Sequence, residues 1–161
     1  MADSTSSEGL KLLQDELIDE FNKWRMKNLT VKLDFDNLDL SNKNLSNAYL
    51  NGVSLVDTNL SRSVLVNTNL VQASLTRANL DESDLTNALI MYTSLSDSVL
   101  TNSTLIDTNF MWSDLNKADL RGSTLGKTIF VEANLTNART DELDKTKAYL
   151  KFSKLSGTTW E

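Results

Sequence analysis

The 161-residue chain contains no cysteine, no histidine and no proline. The missing cysteine and histidine exclude disulfides, thiol catalysis, the common zinc sites and an imidazole general base. The missing proline fits a chain whose backbone N–H groups mostly have hydrogen-bond partners, since proline has no N–H to donate. The composition therefore argues for a non-enzymatic protein without a cofactor or a metal.

The chain also shows neither a signal peptide nor a membrane span. Residues 1–9 lack the basic and apolar regions of a secretory signal. No apolar run approaches the roughly 20 residues of a transmembrane helix. We therefore expect a single cytoplasmic domain that does not contact a membrane.

Basic surface is scarce as well. The formal net charge is -6, and residues 33–138 carry twelve acidic but only six basic side chains. A protein that binds nucleic acid needs a basic face for the phosphates. Direct nucleic-acid binding is therefore not expected.

A strict five-residue repeat dominates the rest of the sequence. Leu, Ile or Phe stands at every fifth position from Phe35 to Leu135, and these residues are called centres below. A helix would rotate successive centres by about 140°, and a strand would turn every second centre into water. The period fits a chain that turns a corner every five residues. Four corners then close a coil of about twenty residues, and coils stack at the inter-strand spacing of about 4.8 Å.

Three segments show the full pattern of the repeat, namely Ala78–Leu80, Ala118–Leu120 and Ala133–Leu135, which read Ala-Asp/Asn-Leu. With these segments and the unbroken series of centres, residues 33–139 resemble the pentapeptide repeat family. The segment Phe21–Arg25 is similar to the lead-in of bacterial, cyanobacterial-type members that carry an N-terminal helical cap. The resemblance implies an all-β solenoid, a right-handed quadrilateral β-helix of about five coils.

The two ends of the repeat are expected to carry caps, because an open solenoid end exposes unpaired backbone and apolar centres. We expect residues 1–7 to be disordered, residues 8–32 to form a capping helix and lead-in, and residues 140–161 to form an irregular or helical C-terminal cap. The predicted helix has one apolar face at helical spacing. That face consists of Leu10, Leu13, Leu17, Phe21 and Trp24.

Corners and columns follow from the same register. Asn or Gly recurs two positions after a centre, as at Asn87 and Gly52, and these types best tolerate the positive φ of a type II turn. A spacing of twenty stacks Asp57, Arg77, Asp97 and Lys117 in one outer column and pairs Arg62 with Glu82. We interpret these columns as exposed ion pairs. The neighbouring carboxylates Asp81, Glu82 and Asp84 are interpreted as solvated surface groups, because a convex rod offers no catalytic cleft.

One column of centres, Leu50 to Phe130 at intervals of twenty, has unusually apolar outward neighbours, and we call it the fourth face. Monomers rarely expose a contiguous apolar patch, and methionine and aromatic residues are enriched at interfaces. We predict that Tyr92 stacks on Trp112 and Met91 on Met111. Either a protein partner or a second copy binds this face, or the chain's own N-terminal helix or C-terminal tail covers it. The candidate interaction patch consists of Val71, Leu89, Met91, Tyr92, Met111, Trp112, Ile129 and Val131.

Two functions fit these features. The first is a non-enzymatic interaction or regulatory protein that presents a rigid face to a protein partner, with no small-molecule substrate. The alternative is implied by the resemblance: a DNA-mimicking modulator of DNA gyrase, like the quinolone-resistance branch of the family. The acidic excess is compatible with this alternative, although the predicted ion pairs dilute it.

Overall fold

A computed structural model describes residues 4–161. Two helices come first, α1 (Ser4–Gln14) and α2 (Ile18–Lys27). In the part of the chain so described, neither helix has the length and apolar character that a membrane crossing requires. The remaining regular elements are short: β1 (Thr104–Ile106), β2 (Thr124–Gly126), β3 (Thr128–Ile129), a 3-10 helix (Lys145–Lys147) and β4 (Ala148–Tyr149).

After α2 the chain repeatedly lies beside itself at an offset of twenty residues. Strand β1 pairs with β2 and β3 with β4, both in parallel. Single-residue parallel bridges with the same offset run from Asp34–Ser54 to Asn134–Lys154. Each unit of twenty residues is called a coil below. Most contacts between coils are single bridges because two residues of every five lie in a turn.

The corners between five-residue segments share one backbone conformation. The second residue after each centre has a positive φ at every fifth position from Asn37 to Glu142. Asn and Gly were expected there, but Arg77, Tyr92 and Trp112 adopt the same conformation. The backbone N–H of this residue donates to the next coil, as Asn47 N does to Val66 O at 2.9 Å. Bonds between coils therefore hold the corner whatever its side chain prefers.

The interior is a stack of buried centres. All centres from Phe35 to Leu135 are buried, and Phe110 stacks on Phe130 with ring centroids 5.1 Å apart. The small position two residues before a centre holds Ala or a buried hydroxyl. Thr68, for example, donates from Oγ1 to Leu45 O of the preceding coil at 2.9 Å. These hydroxyls add bonds between coils that the apolar pattern alone does not reveal.

The predicted single N-terminal helix is two helices. Helix α1 ends in a Schellman motif, in which Glu16 takes φ 58° and Leu17 N bonds to Leu12 O at 2.9 Å. Leu13, Phe21 and Trp24 of the predicted apolar face are buried, and Leu10 is half-buried. Leu17 is 44% exposed, because it lies at the break between the helices. The expectation of a continuous apolar face including Leu17 was wrong at that residue.

The predicted disorder of residues 1–7 was wrong for residues 4–7, since α1 begins at Ser4. Residues 1–3 lie outside the described residues. Helix α1 packs closely on α2, because an added Cβ at Gly9 would lie 2.5 Å from the Trp24 ring. The Trp24 Nε1 also donates to Glu8 Oε2 at 3.2 Å.

The helices bind the open edge of the first coil. In later coils the N–H of the residue before each centre donates to the preceding coil, as Val64 N does to Lys43 O at 2.9 Å. The first coil has no predecessor, and the helices supply the acceptors. Asn44 N donates to Glu16 Oε2 at 3.1 Å, and Tyr49 N donates to Asn22 Oδ1 at 2.9 Å. The helical segment therefore caps the first coil.

At the C-terminal end the coil continues past the interrupted centres at Thr140 and Lys145. Strand β4 pairs with β3, and Lys154 bridges Asn134. Trp160 is buried and its ring packs against Phe130 at a centroid distance of 6.0 Å and an interplanar angle of 60°. The segment is thus an extra coil that contains one short 3-10 helix, with Trp160 at the end of the apolar interior.

Candidate protein-interaction face

The structure places the predicted patch residues together along the fourth face. Leu89 is 41% exposed, Tyr92 52% and Trp112 42%. The other five predicted residues are half-buried: Val71, Met91, Met111, Ile129 and Val131. These exposures include the whole described chain, so neither the helices nor the C-terminal segment covers the patch.

The aromatic pair at the corner of this face is stacked. Tyr92 and Trp112 have ring centroids 4.7 Å apart and an interplanar angle of 13°. Met91 and Met111 lie in the adjacent column, and Asn109 Nδ2 approaches Met91 Sδ at 3.3 Å. The stack holds two aromatic rings in fixed positions at the surface, so a partner could bind them with little loss of side-chain entropy.

A local hydrogen bond explains why Asp and Asn usually precede a centre. Their Oδ1 accepts the backbone N–H two residues later, as Asn109 Oδ1 does from Met111 N at 3.0 Å. The backbone ladder between coils does not use that N–H. The bond recurs at Asp34, Asp39, Asn44, Asn59, Asn69, Asn79, Asp84, Asp114, Asp119, Asn134 and Asp144.

The most apolar part of the fourth face lacks this hydrogen bond between a side-chain oxygen and a backbone N–H. Leu89 and Ile129 occupy the position before a centre, and an aliphatic side chain cannot accept the N–H of Met91 or Val131. The sequence thus exchanges a backbone hydrogen bond for an apolar side chain on this face, exposed at Leu89 and half-buried at Ile129. Val99 makes the same exchange on the opposite face, where it is an isolated residue.

Sequence reasoning missed three residues of this face, Tyr49, Tyr149 and Phe152. Tyr49 and Tyr149 lie in the column of Leu89, and Phe152 lies in the column of Trp112 and is 72% exposed. A twenty-residue spacing extended from Ile129 and Trp112 identifies them. Tyr149 and Phe152 were missed because Thr140 and Lys145 interrupt the series of centres, and the repeat was ended there. Tyr49 lies within the unbroken series, and the twenty-residue spacing was not extended back to it.

The charged columns form ion pairs as predicted at two places. Arg77 donates to both carboxylate oxygens of Asp57, at 2.7 and 2.6 Å. This hydrogen bond lowers the pKa of the Asp57 carboxyl. Arg62 donates to Glu82 at 3.0 and 3.3 Å, and Glu82 holds the pKa of Arg62 above its usual value. These exposed pairs neutralise part of the acidic surface.

A third ionic cluster was not predicted. Arg121 donates to Asp119 at 2.9 and 2.7 Å, and Arg139 approaches the same carboxylate at 3.2 Å. The hydrogen bond from Arg121 lowers the pKa of Asp119. The neighbouring acids also have structural partners, since Asp81 accepts from Thr101 and Asp84 from Thr86. No group of three or more potential metal-binding side chains converges among residues 4–161.

Comparison with known proteins identifies the repeat. A family model described as pentapeptide repeats matches the chain in eight copies, over residues 33–65, 54–90, 93–130 and 113–142. No curated protein matches the sequence.

Several solved structures are similar to the chain. QnrB1, a plasmid-mediated fluoroquinolone resistance protein in a trypsin-treated variant form, is 14% identical with a TM-score of 0.56 over 79% of this chain and 67% of its own. A pentapeptide repeat protein from the Arabidopsis thaliana thylakoid lumen is 22% identical over 60% and 68%, with a TM-score of 0.42. HetL, involved in heterocyst differentiation regulation in the cyanobacterium Nostoc, is 18% identical over 83% and 91%, with a TM-score of 0.24. At these identities the similarity concerns the fold alone.

Proposed function

Because the chain belongs to the pentapeptide repeat family, whose members are generally non-enzymatic structural or interaction proteins, we propose that it acts by binding a protein through the fourth face. In this proposal residues 33–139 form a right-handed quadrilateral β-helix, and the N-terminal helices and residues 140–161 cap its ends. The β-helix serves as a rigid support that fixes the apolar side chains. The protein acts in the cytoplasm, without a membrane, nucleic-acid or small-molecule ligand.

The exchange at Leu89 and Ile129 is the observation that carries this proposal. Stability alone favours Asp or Asn at these positions, because either would satisfy a backbone N–H. An aliphatic side chain as exposed as that of Leu89 gives no comparable benefit in the isolated chain. On a surface that also holds the stacked Tyr92 and Trp112, it provides apolar area for a protein partner.

A matched set of variants tests the proposal by affinity purification of the tagged chain from its own cells. The double variant Leu89→Asn/Ile129→Asn removes two apolar side chains of the patch and restores the missing backbone hydrogen bonds. Val99→Asn makes the same backbone repair on the opposite face. We expect wild type and Val99→Asn to retain the same proteins, and the double variant to lose at least one of them.

The control for this experiment is the stability of each folded variant, measured by denaturant unfolding. Each restored bond should contribute about 0.5–1.5 kcal/mol, so the double variant should unfold at the same denaturant concentration as wild type or a higher one. A loss of binding then reflects the lost patch. Identical sets of retained proteins for all three chains would contradict the proposal.

The alternative of a DNA-mimicking gyrase modulator has less support. A mimic of DNA needs a continuous row of negative charge, and the pairs Arg77–Asp57 and Arg62–Glu82 interrupt the acidic columns. Arg121 and Arg139 neutralise Asp119 in the same way. A supercoiling assay with purified gyrase would decide between the two: inhibition by the chain would favour the alternative.

A further inference from the structure

Part of the fourth face has a similar sequence of outward residues when read in either direction. The column after the centres has apolar residues in the middle and polar residues at both ends. It reads Asn51, Val71, Met91, Met111, Val131 and Lys151. The next column places Tyr92 and Trp112 at its middle, with Gln72 and Glu132 on either side. The column before the centres matches only at its ends, Tyr49 and Tyr149, because it reads Asn69, Leu89, Asn109 and Ile129 between them.

Such a pattern is what a two-fold symmetric interface requires. In an isologous dimer, a residue that contacts a second residue is contacted by that second residue of the other copy. A two-fold axis that crosses the face between the coils of Met91 and Met111 places Met91 opposite Met111. The same axis places Val71 opposite Val131 and Tyr92 opposite Trp112. The two copies then run antiparallel. The methionines and valines face each other and the aromatic rings face each other, whereas Leu89 and Ile129 face Asn109 and Asn69 of the other copy.

The charges at one edge of the face match under the same operation. Near the first coil, a groove between α2 and the corner at Asn47 is lined by Glu16, Asp19 and Glu20. Twenty-residue steps along that corner lead to Lys127 and Lys147, which line a groove beside β4 near the last coil. An antiparallel two-fold brings the acidic groove of each copy towards the basic groove of the other, which favours association.

The two ends of the opposite edge are also complementary in size. Phe152 extends from the last coil, and Gly52 occupies the equivalent corner of the first coil. Apart from Gly52 itself and its two chain neighbours, no atom of residues 4–161 lies within 4 Å of the position that a Gly52 Cβ would take. In the antiparallel arrangement, the exposed Phe152 ring of one copy faces the surface around Gly52 of the other copy.

A parallel arrangement of two copies lacks these matches. A two-fold axis along the stack would place the corner of Tyr92 and Trp112 opposite the corner of Asn87 and Asp107. The aromatic rings would then desolvate polar side chains without offering them hydrogen bonds, which is unfavourable.

We propose that the fourth face is the interface of an antiparallel homodimer with its two-fold axis between Met91 and Met111. This inference rests on the proposed function, which makes the face a binding surface, and adds that a second copy of the chain occupies it. The face extends over six coils, so its first and last coils lie five steps, or roughly 24 Å, apart at about 4.8 Å per step. A face of this length and only one coil side wide buries less area than the interface of a permanent dimer. The dimer should therefore be weak and dissociate on dilution.

Sedimentation equilibrium of the full chain over a range of concentrations tests the dimer. Wild type and Val99→Asn should move from monomer to dimer with the same dissociation constant. Met91→Asn/Met111→Asn should weaken dimerisation at least about tenfold, because the two methionines meet at the two-fold axis, and Asn51 shows that the same column accepts asparagine. Wild type that remains a monomer up to millimolar concentration overturns the inference. If the affinity purification nevertheless shows binding that depends on the patch, the proposed function stands and only the identity of the partner is wrong.

Charge reversal tests the antiparallel orientation. Lys127→Glu/Lys147→Glu should weaken the dimer, and added salt should then strengthen it, because salt screens the new repulsion between like charges. Combining it with Asp19→Lys/Glu20→Lys should restore dimerisation, because the charges at the two grooves are exchanged but still complementary. All four side chains are exposed, and circular dichroism would show that each variant keeps the fold of wild type. A dimer unaffected by the lysine reversals, or not rescued by the second pair, overturns this orientation.

Discussion

At the scale of single residues, the corners show where sequence preference and structure diverge. Asn and Gly at some corners predicted a positive φ from their own tolerance of it. The same conformation at Tyr92, Trp112 and Lys117 follows only from their place in the repeat. Bulky or β-carbon-bearing residues disfavour it locally, but the hydrogen bonds between coils fix it. The preferences of Asn and Gly therefore predicted a positive φ at the corners. The repeat imposes the same φ on residues that disfavour it individually.

The strain at these corners predicts opposite effects for two substitutions. Lys117→Gly should raise the free energy of unfolding by about 1 kcal/mol, because glycine adopts a positive φ without a steric penalty. Gly52→Ala should lower it by a similar amount, since its φ is 69° and the added methyl group contacts nothing. Urea denaturation of both variants measures the two changes. Effects of the same sign would show that the backbone conformation does not decide stability at these corners.

At the scale of elements, the N-terminal cap was predictable as helical but not as two helices. The apolar spacing from Leu10 to Trp24 is continuous, and no glycine marks an end near residue 16. The break depends on contacts distant in the sequence, because Glu16 reaches Asn44 N and Lys43 Nζ at 3.1 and 3.4 Å. A helical pattern contains no information about such contacts. The coil pattern of residues 33–139 was more predictable, because each segment repeats the same local interactions.

Glu16 should therefore contribute to stability through the cap. Glu16→Ala leaves Asn44 N without its acceptor at the open edge and keeps the positive φ, so the free energy of unfolding should fall by about 1–2 kcal/mol. Asp19→Ala removes a nearby exposed acid and is the matched control, with an expected change below about 0.5 kcal/mol. Thermal denaturation followed by circular dichroism compares the two. Equal destabilisation would mean that the contact between Glu16 and the first coil is not important.

At the scale of the whole molecule, one sequence period organises both the core and the candidate site. Centres define the interior, and the twenty-residue spacing by itself predicts that Tyr92 lies beside Trp112. The extent of the patch was underestimated, since Tyr149 and Phe152 follow two interrupted centres. The polar clusters were predictable only when both partners lay in one column. Asp119 and Arg121 are two residues apart on the same coil, so stacking rules did not identify them.

The ionic cluster at Asp119 should make the stability of the whole molecule depend on pH. Its carboxyl has a pKa lowered by the hydrogen bond from Arg121, whereas an unfolded Asp titrates near 4. The contribution is therefore complete above about pH 4 and is lost as the pH falls through the folded-state pKa. Asp119→Asn removes the charge, while the amide oxygen can still accept Arg121 N, as Asn79 accepts Asp81 N.

We expect Asp119→Asn to be less stable than wild type at pH 7 by about 1 kcal/mol, the range for partly exposed ion pairs. The difference should shrink below pH 4 and vanish once Asp119 is protonated in the folded state. Asp107→Asn is the matched control, because Asp107 is exposed and forms no ion pair among the described residues. Urea midpoints measured from pH 7 to pH 2 provide the test. A difference that stays constant with pH would show that packing, and not the ionised carboxylate, accounts for the role of Asp119.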